Sequence, residues 1–204
     1  MKYTNEQLQT MIAREPIGDI YPYNTKDEDL IDEYIQNLYD TFNRSKIIKC
    51  ETDDHGSGYA SYVDFFCYKR DGGSVLEEKY IEEYLCTEIH LEGLAIYISR
   101  LAPVAIIAKD ARWKTIINTD KEQDEYFSAK SHICPDEVIT ESPDFMVEEF
   151  LEIITKLGNA GYSILDKEYI SKPLSFETKI PTILTIPELN EIYKVFDGIF
   201  YWMD

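Results

Sequence analysis

From Tyr59 to Cys67 the chain places apolar or aromatic side chains at both alternating positions. Tyr59, Val63, Phe65 and Cys67 alternate with Ala60, Tyr62, Asp64 and Phe66. Successive strand residues point to opposite faces, so a strand written this way must be covered on both sides. Residues 94–99 and 104–108 are further β-rich apolar runs that read as central strands. The rest of the chain must therefore supply layers above and below a sheet. At 204 residues it is long enough to do so; a chain of this size buries roughly 70% of the surface its unfolded form exposes.

Helices are predicted at four places. Thr4-x-x-Gln7 forms a capping box before Leu8, Met11 and Ile12, and Pro16 stops the run. Thr25-x-x-Glu28 repeats the device, followed by the helical stripe Leu30, Ile31, Tyr34, Ile35, Leu38, Tyr39 and Phe42. Ser142-Pro143-Asp144 opens a third helix carrying Met146, Phe150, Ile153, Ile154 and Leu157, which Gly158 or Gly161 can end. A fourth follows Thr185-x-x-Glu188 with Leu189, Ile192, Tyr193 and Phe196 on one face, closed by Gly198. Asp71-Gly72-Gly73-Ser74 is a turn, and strands are predicted to resume between 84 and 91. Residues 113–117 would add an edge, and 162–165 and 179–185 short strands; 75–83 fit helix and strand equally. The reading is a single α+β domain over residues 1–204, with an antiparallel or mixed central sheet flanked by amphipathic helices. Residues 1–45 would be a helical segment packed on it.

Charge then narrows function. The 39 acidic residues face only 20 Lys and Arg, a net charge of −19. Nucleic acid and anionic membrane surfaces call for basic patches, so neither is an expected partner. A basic protein partner suits the charge. The first residues are polar and helix-like rather than a signal peptide, and the longest apolar run, 101–108, contains Pro103 and is too short to span a bilayer. The expected location is the cytosol, where Cys50, Cys67, Cys86 and Cys134, which lack paired spacing, read as small buried hydrophobes.

Motifs for chemistry are sparse. Asp53-Asp54-His55 followed by Gly56-Ser57-Gly58 is the best candidate metal or phosphate loop, though the favoured reading is a polar, glycine-containing loop before a long strand. His132-x-Cys134 lacks a second ligand pair, and Glu88-Ile89-His90-Leu91-Glu92 puts His90 on a face with two glutamates. No nucleophile elbow or zinc-protease motif is present. No cofactor is expected. The alternative to a binding protein is a metal-dependent, hydrolase-like enzyme built on the Asp53–His55 loop. A second alternative is a scaffold subunit whose apolar C-terminal end docks into an assembly.

The remaining signal is acidic clustering. Residues 27–40 carry six carboxylates, 77–92 another six, and 131–155 seven with no Lys or Arg. The candidate partner-binding residues are Asp27, Asp29, Asp32 and Glu33 in the second helix, Asp136 and Glu137, and Glu148, Glu149 and Glu152, which the helical wheel places in water. Tyr21 and Tyr23 join them, because Tyr21-Pro22-Tyr23 lies outside any amphipathic stripe and tyrosine is favoured at interfaces. The Tyr201-Trp202 end reads as buried.

Three stretches together carry a resemblance: Ile96-Tyr97-Ile98-Ser99-Arg100-Leu101-Ala102-Pro103, Arg112-Trp113, and the ending from Val195 to Asp204. Over about the C-terminal half the chain resembles small acidic cytoplasmic proteins of bacteria, some of them immunity proteins of toxin–immunity pairs. The resemblance implies a fitted inhibitor of a partner toxin that acts by occlusion, and it assigns no site residues.

Overall fold

The computed structural model describes residues 2–53, 58–118, 123–127, 132–184 and 192–203. Its centre is a seven-stranded sheet built on two long neighbouring strands, β5 (Cys86–Ser99) and β6 (Val104–Asn118), which run antiparallel along nearly their whole length. On one side of β5, β3 (Tyr62–Lys69) pairs with residues 94–99 and β4 (Val75–Ile81) with residues 86–91, so the two lie end to end. Outside β3 lies β1 (Ile48–Asp53). On the far side of β6 lie β7 (Gln123–Phe127), antiparallel, and β8 (Ser163–Ile164), parallel. The fold is α+β with a mixed, mostly antiparallel sheet.

Both faces of the sheet are covered where β3 meets residues 94–99 of β5 and the start of β6, as the doubly apolar strands there require. On one face α2 (Glu28–Asn43) and α3 (Val147–Asn159) lay Ile31, Ile35, Leu38 and Phe42, and Phe150, Ile153 and Leu157, over Val63, Phe65, Ile96 and Ile107. The opposite face presents Tyr62, Tyr97 and Ile106 to α1 (Asn5–Ile12), α4 (Lys167–Ile170) and α5 (Val195–Ile199). Each fully buried side chain of this size contributes about 1.5–3 kcal/mol.

Local signals explain most boundaries. Thr4 and Gln7 form the reciprocal capping box that starts α1. Helix α2 is capped by Asp27, which accepts from the Leu30 N–H at 3.2 Å; the predicted cap Thr25 instead donates to the Pro22 carbonyl within a 3-10 turn. Gly161, at φ +77°, takes the left-handed position after α3. Residues 113–117 are not an edge: they continue β6, between β5 and β7. Residues 179–184 form no strand, and Ile192 and Tyr193 precede rather than join the last helix, which contains Gly198. The predicted cap from Thr185 to Glu188, with Leu189, lies outside the described residues.

The chain's end is used internally. Trp202–Met203 forms β9, paired with β2 (Tyr59–Ala60), while Ser61 bonds the Ile199 carbonyl and the Tyr201 N–H, each at 2.8 Å. Tyr201 is fully buried and donates to the Met11 carbonyl at 2.9 Å. Trp202 and Met203 are half-buried.

Candidate interaction surface

Helix α2 sets its polar face by periodicity. With Ile31, Ile35, Leu38 and Phe42 turned inward, Asp29 and Glu33 stand in solvent and form no ion pair or hydrogen bond among the described residues. Glu28, Asp32 and Gln36, spaced four apart, line up along one flank of the helix. That flank borders a cleft of about 280 Å³ lined by Glu28, Asp32, Tyr59 and Arg100, with Ile31 and Leu101 on its apolar side. Arg100 is locked: its Nε donates to Asp32 at 2.8 Å, and one terminal nitrogen reaches the Ala60 and Tyr62 carbonyls at 2.8 and 3.2 Å. Beyond this ion pair a second hollow of about 350 Å³ continues over Gln36, Tyr39 and Thr52. Burial, then the Glu28 charge, pushes the Tyr59 phenol up to about 12, so it remains a neutral hydrogen-bonding group. The Arg14 guanidinium sits 4.8 Å over its ring.

The other predicted residues scatter. Lys156 of α3 donates to the Thr41 carbonyl, and Tyr34 of α2 to the Ala160 carbonyl, so the two helices run antiparallel. At 1.5 Å rise per residue, Glu33 and Glu148 are then on the order of 24 Å apart along the helix axes. Glu148 is exposed, and Glu152 pairs with Lys156 at 3.2 Å. Glu149 is buried, contrary to the helical-wheel expectation, because it sits one turn from Ile153 at the margin of the apolar stripe. Asp136 and Glu137 belong to a separate 3-10 turn: Asp136 pairs with Lys167 at 3.5 Å, and Glu137 accepts from the Cys134 N–H at 2.8 Å. Tyr21 is exposed, edge-on to Tyr34. Tyr23 is not: it lies in the core and donates to the Ser99 carbonyl at 2.6 Å. Thus α2 alone gathers several candidates on one surface. Tyr59 and Arg100 arrive from distant segments and carry no signal in the sequence.

The titratable groups of the core form a structural network. Arg112 reaches both carboxylate oxygens of Asp64 at 3.1 Å and Asp110 at 2.7 Å, with its guanidinium 4.5 Å over Phe66. Burial opposes the Arg112 charge, but the two carboxylates outweigh it and hold the guanidinium above its ordinary range. His132 lies between two phenols, with Nε2 3.0 Å from Tyr62 Oη and Nδ1 3.3 Å from Tyr97 Oη. Burial, reinforced by the nearby Tyr97 and Asp64 for Tyr62 and by Asp64 for Tyr97, keeps both phenols protonated far above their usual range. They act here as fixed hydrogen-bonding groups, not bases.

The predicted chemical motifs are dispersed. His90 stacks on Trp113 at 4.6 Å, and Glu88 pairs with Lys79 at 2.9 Å. Asp53 is exposed at the end of β1, while Asp54 and His55 lie outside the described residues. Among the described residues no three His, Cys, Asp or Glu side chains are arranged to hold a metal ion, and no helix is long and apolar enough to cross a membrane. Cys50 and Cys67 are register partners on β1 and β3, with their sulfurs 3.3 Å apart; with Cys86 they are buried, whereas Cys134 is exposed against expectation. No family model, curated protein or solved structure matches this chain.

Proposed function

We propose that this chain is a non-enzymatic, cytosolic acidic binding protein, an immunity-type inhibitor that occludes a basic protein partner such as a toxin. The observation that carries the reading is the α2 cleft: Glu28 and Asp32 rim a hollow with a tyrosine wall and an apolar side, flanked in solvent by Asp29 and Glu33. Such a hollow suits one Lys or Arg of the partner, with the stem against Ile31 and Leu101 and the cation at Glu28, since Asp32 already holds Arg100. The exposed carboxylates around it speed and orient docking, an effect screened by salt beyond about 8 Å at physiological ionic strength. If the partner is a nuclease, a carboxylate-lined surface stands in for the phosphate its basic site holds.

The test is capture from native lysate by the tagged protein and by its Asp29→Lys/Glu33→Lys variant, at low and high salt. A single basic protein held at stoichiometry by the wild type, weakened by salt and lost with the variant, is the expected result. Equal retention by the variant, or no stoichiometric basic partner, would overturn the proposal.

A further inference from the structure

We propose that the outer edge of β4 is a docking seat where an extended, basic segment of the partner adds as a further strand. The inference rests on the basic-partner reading but concerns a surface remote from α2. Strand β4 pairs with β5 on one side, and among the described residues no strand lies along its other side. Its unpaired backbone groups are therefore a template for strand addition. From Val75 to Tyr80 every side chain is exposed, on both faces of the strand. Large apolar side chains stand in water on β4 and the turn after it, at Leu76, Tyr80, Tyr84 and Leu85. On β3 and the facing halves of β5 and β6 such residues are covered, so a second layer of contact is wanting here.

Charge selects the occupant. The strand and the turn after it carry Glu77, Glu78, Glu82 and Glu83. Their basic neighbour, Lys79, is already engaged by Glu88 at 2.9 Å and lies 4.5 Å over the Trp113 ring. A second copy of β4 would set glutamate against glutamate, which disfavours self-pairing. A strand alternating Lys or Arg with small residues, its cations on the face of Glu78 and Tyr80, would meet a carboxylate and an aromatic ring there, while its small residues lie on the opposite face, where Lys79 follows Glu77. The register break between Val75 and Glu77 disrupts the near end of the edge, so the seat spans Glu77 to Ile81.

The experiment titrates the full-length protein with a synthetic peptide alternating Lys and Thr, with an acidic counterpart alternating Glu and Thr as control. Backbone amide NMR and hydrogen exchange report where each binds. The expected result is salt-sensitive binding of the Lys peptide, with shifts and slowed exchange confined to residues 77–81. The Glu77→Lys/Glu78→Lys variant should weaken it by about tenfold or more and begin to accept the Glu peptide. These residues are exposed, and an unchanged spectrum elsewhere verifies that the variant folds. Binding seen at Glu28 and Asp32 alone, untouched by the variant, would overturn the edge proposal while leaving the basic-partner reading intact. No salt-sensitive binding at either place would count against both.

Discussion

Replacing Arg112 with methionine tests whether the core network is held by its central cation. Asp64 is wholly buried and Arg112 is 5% exposed, and two 3.1 Å contacts join them. Methionine keeps much of the volume over Phe66 but takes the guanidinium away from Asp64, and leaves Asp110 without its 2.7 Å partner. Breaking a buried pair from one side costs about 3–5 kcal/mol, a large share of the 5–15 kcal/mol that holds a typical domain. For a chain of this length that corresponds to a fall in Tm of roughly 6–20 °C. Urea unfolding of Arg112→Met, of Asp64→Asn and of the double variant forms a cycle whose coupling term isolates the pair. The double variant should recover part of the loss, since the more deeply buried of the two carboxylates then carries no charge and only Asp110 remains without its cation. A cost of Arg112→Met below about 1 kcal/mol, or a double variant no better than Arg112→Met alone, would refute the reasoning.

Two further outcomes follow from packing and burial. Tyr3, Tyr62, Tyr97, Tyr162 and Tyr201 are all pushed above the ordinary phenol range, chiefly by burial, and Tyr59 up to about 12. A raised folded-state value means stability intact below the unfolded phenol value near 10 and lost as pH climbs through the raised ones. Phenolate absorbance should therefore rise for these tyrosines together with loss of tertiary structure, and independent titration in a folded protein would refute it. Gly93→Ala should cost about 1–3 kcal/mol or more by urea unfolding, because its new Cβ would lie 2.5 Å from the Cys67 carbonyl oxygen and 2.8 Å from the Phe66 ring. An unchanged midpoint would show that β3 and β5 can separate freely there.

Elements whose residues meet a consistent environment were legible in the chain. The α2 stripe from Ile31 to Phe42 and the α1 capping box are local patterns, and local geometry delivers them. Strand β1 escaped notice: its inward Ile48 and Cys50 alternate with Lys49 and Glu51 over too short a span. Residues 75–83 stayed ambiguous because β4 is exposed on both faces, so burial writes no period into it. The site was legible only in part. Asp29, Asp32 and Glu33 stand on one surface as their spacing implies, whereas Tyr23 and Glu149 are buried by neighbours far along the chain or at the stripe's margin.

By itself, then, the sequence determined that a doubly apolar sheet would lie between amphipathic helices, because side-chain period and burial are coupled within each element. It also determined the excess of negative charge. Only the tertiary structure decided which carboxylates share a surface. It set α2 and α3 antiparallel, sending Glu33 and Glu148 to opposite ends of the helical layer, and brought Tyr59 and Arg100 to Glu28 and Asp32. It likewise left one side of β4 without a neighbouring strand among the described residues. Such proximities depend on how elements pack across long stretches of chain, and no local period records them.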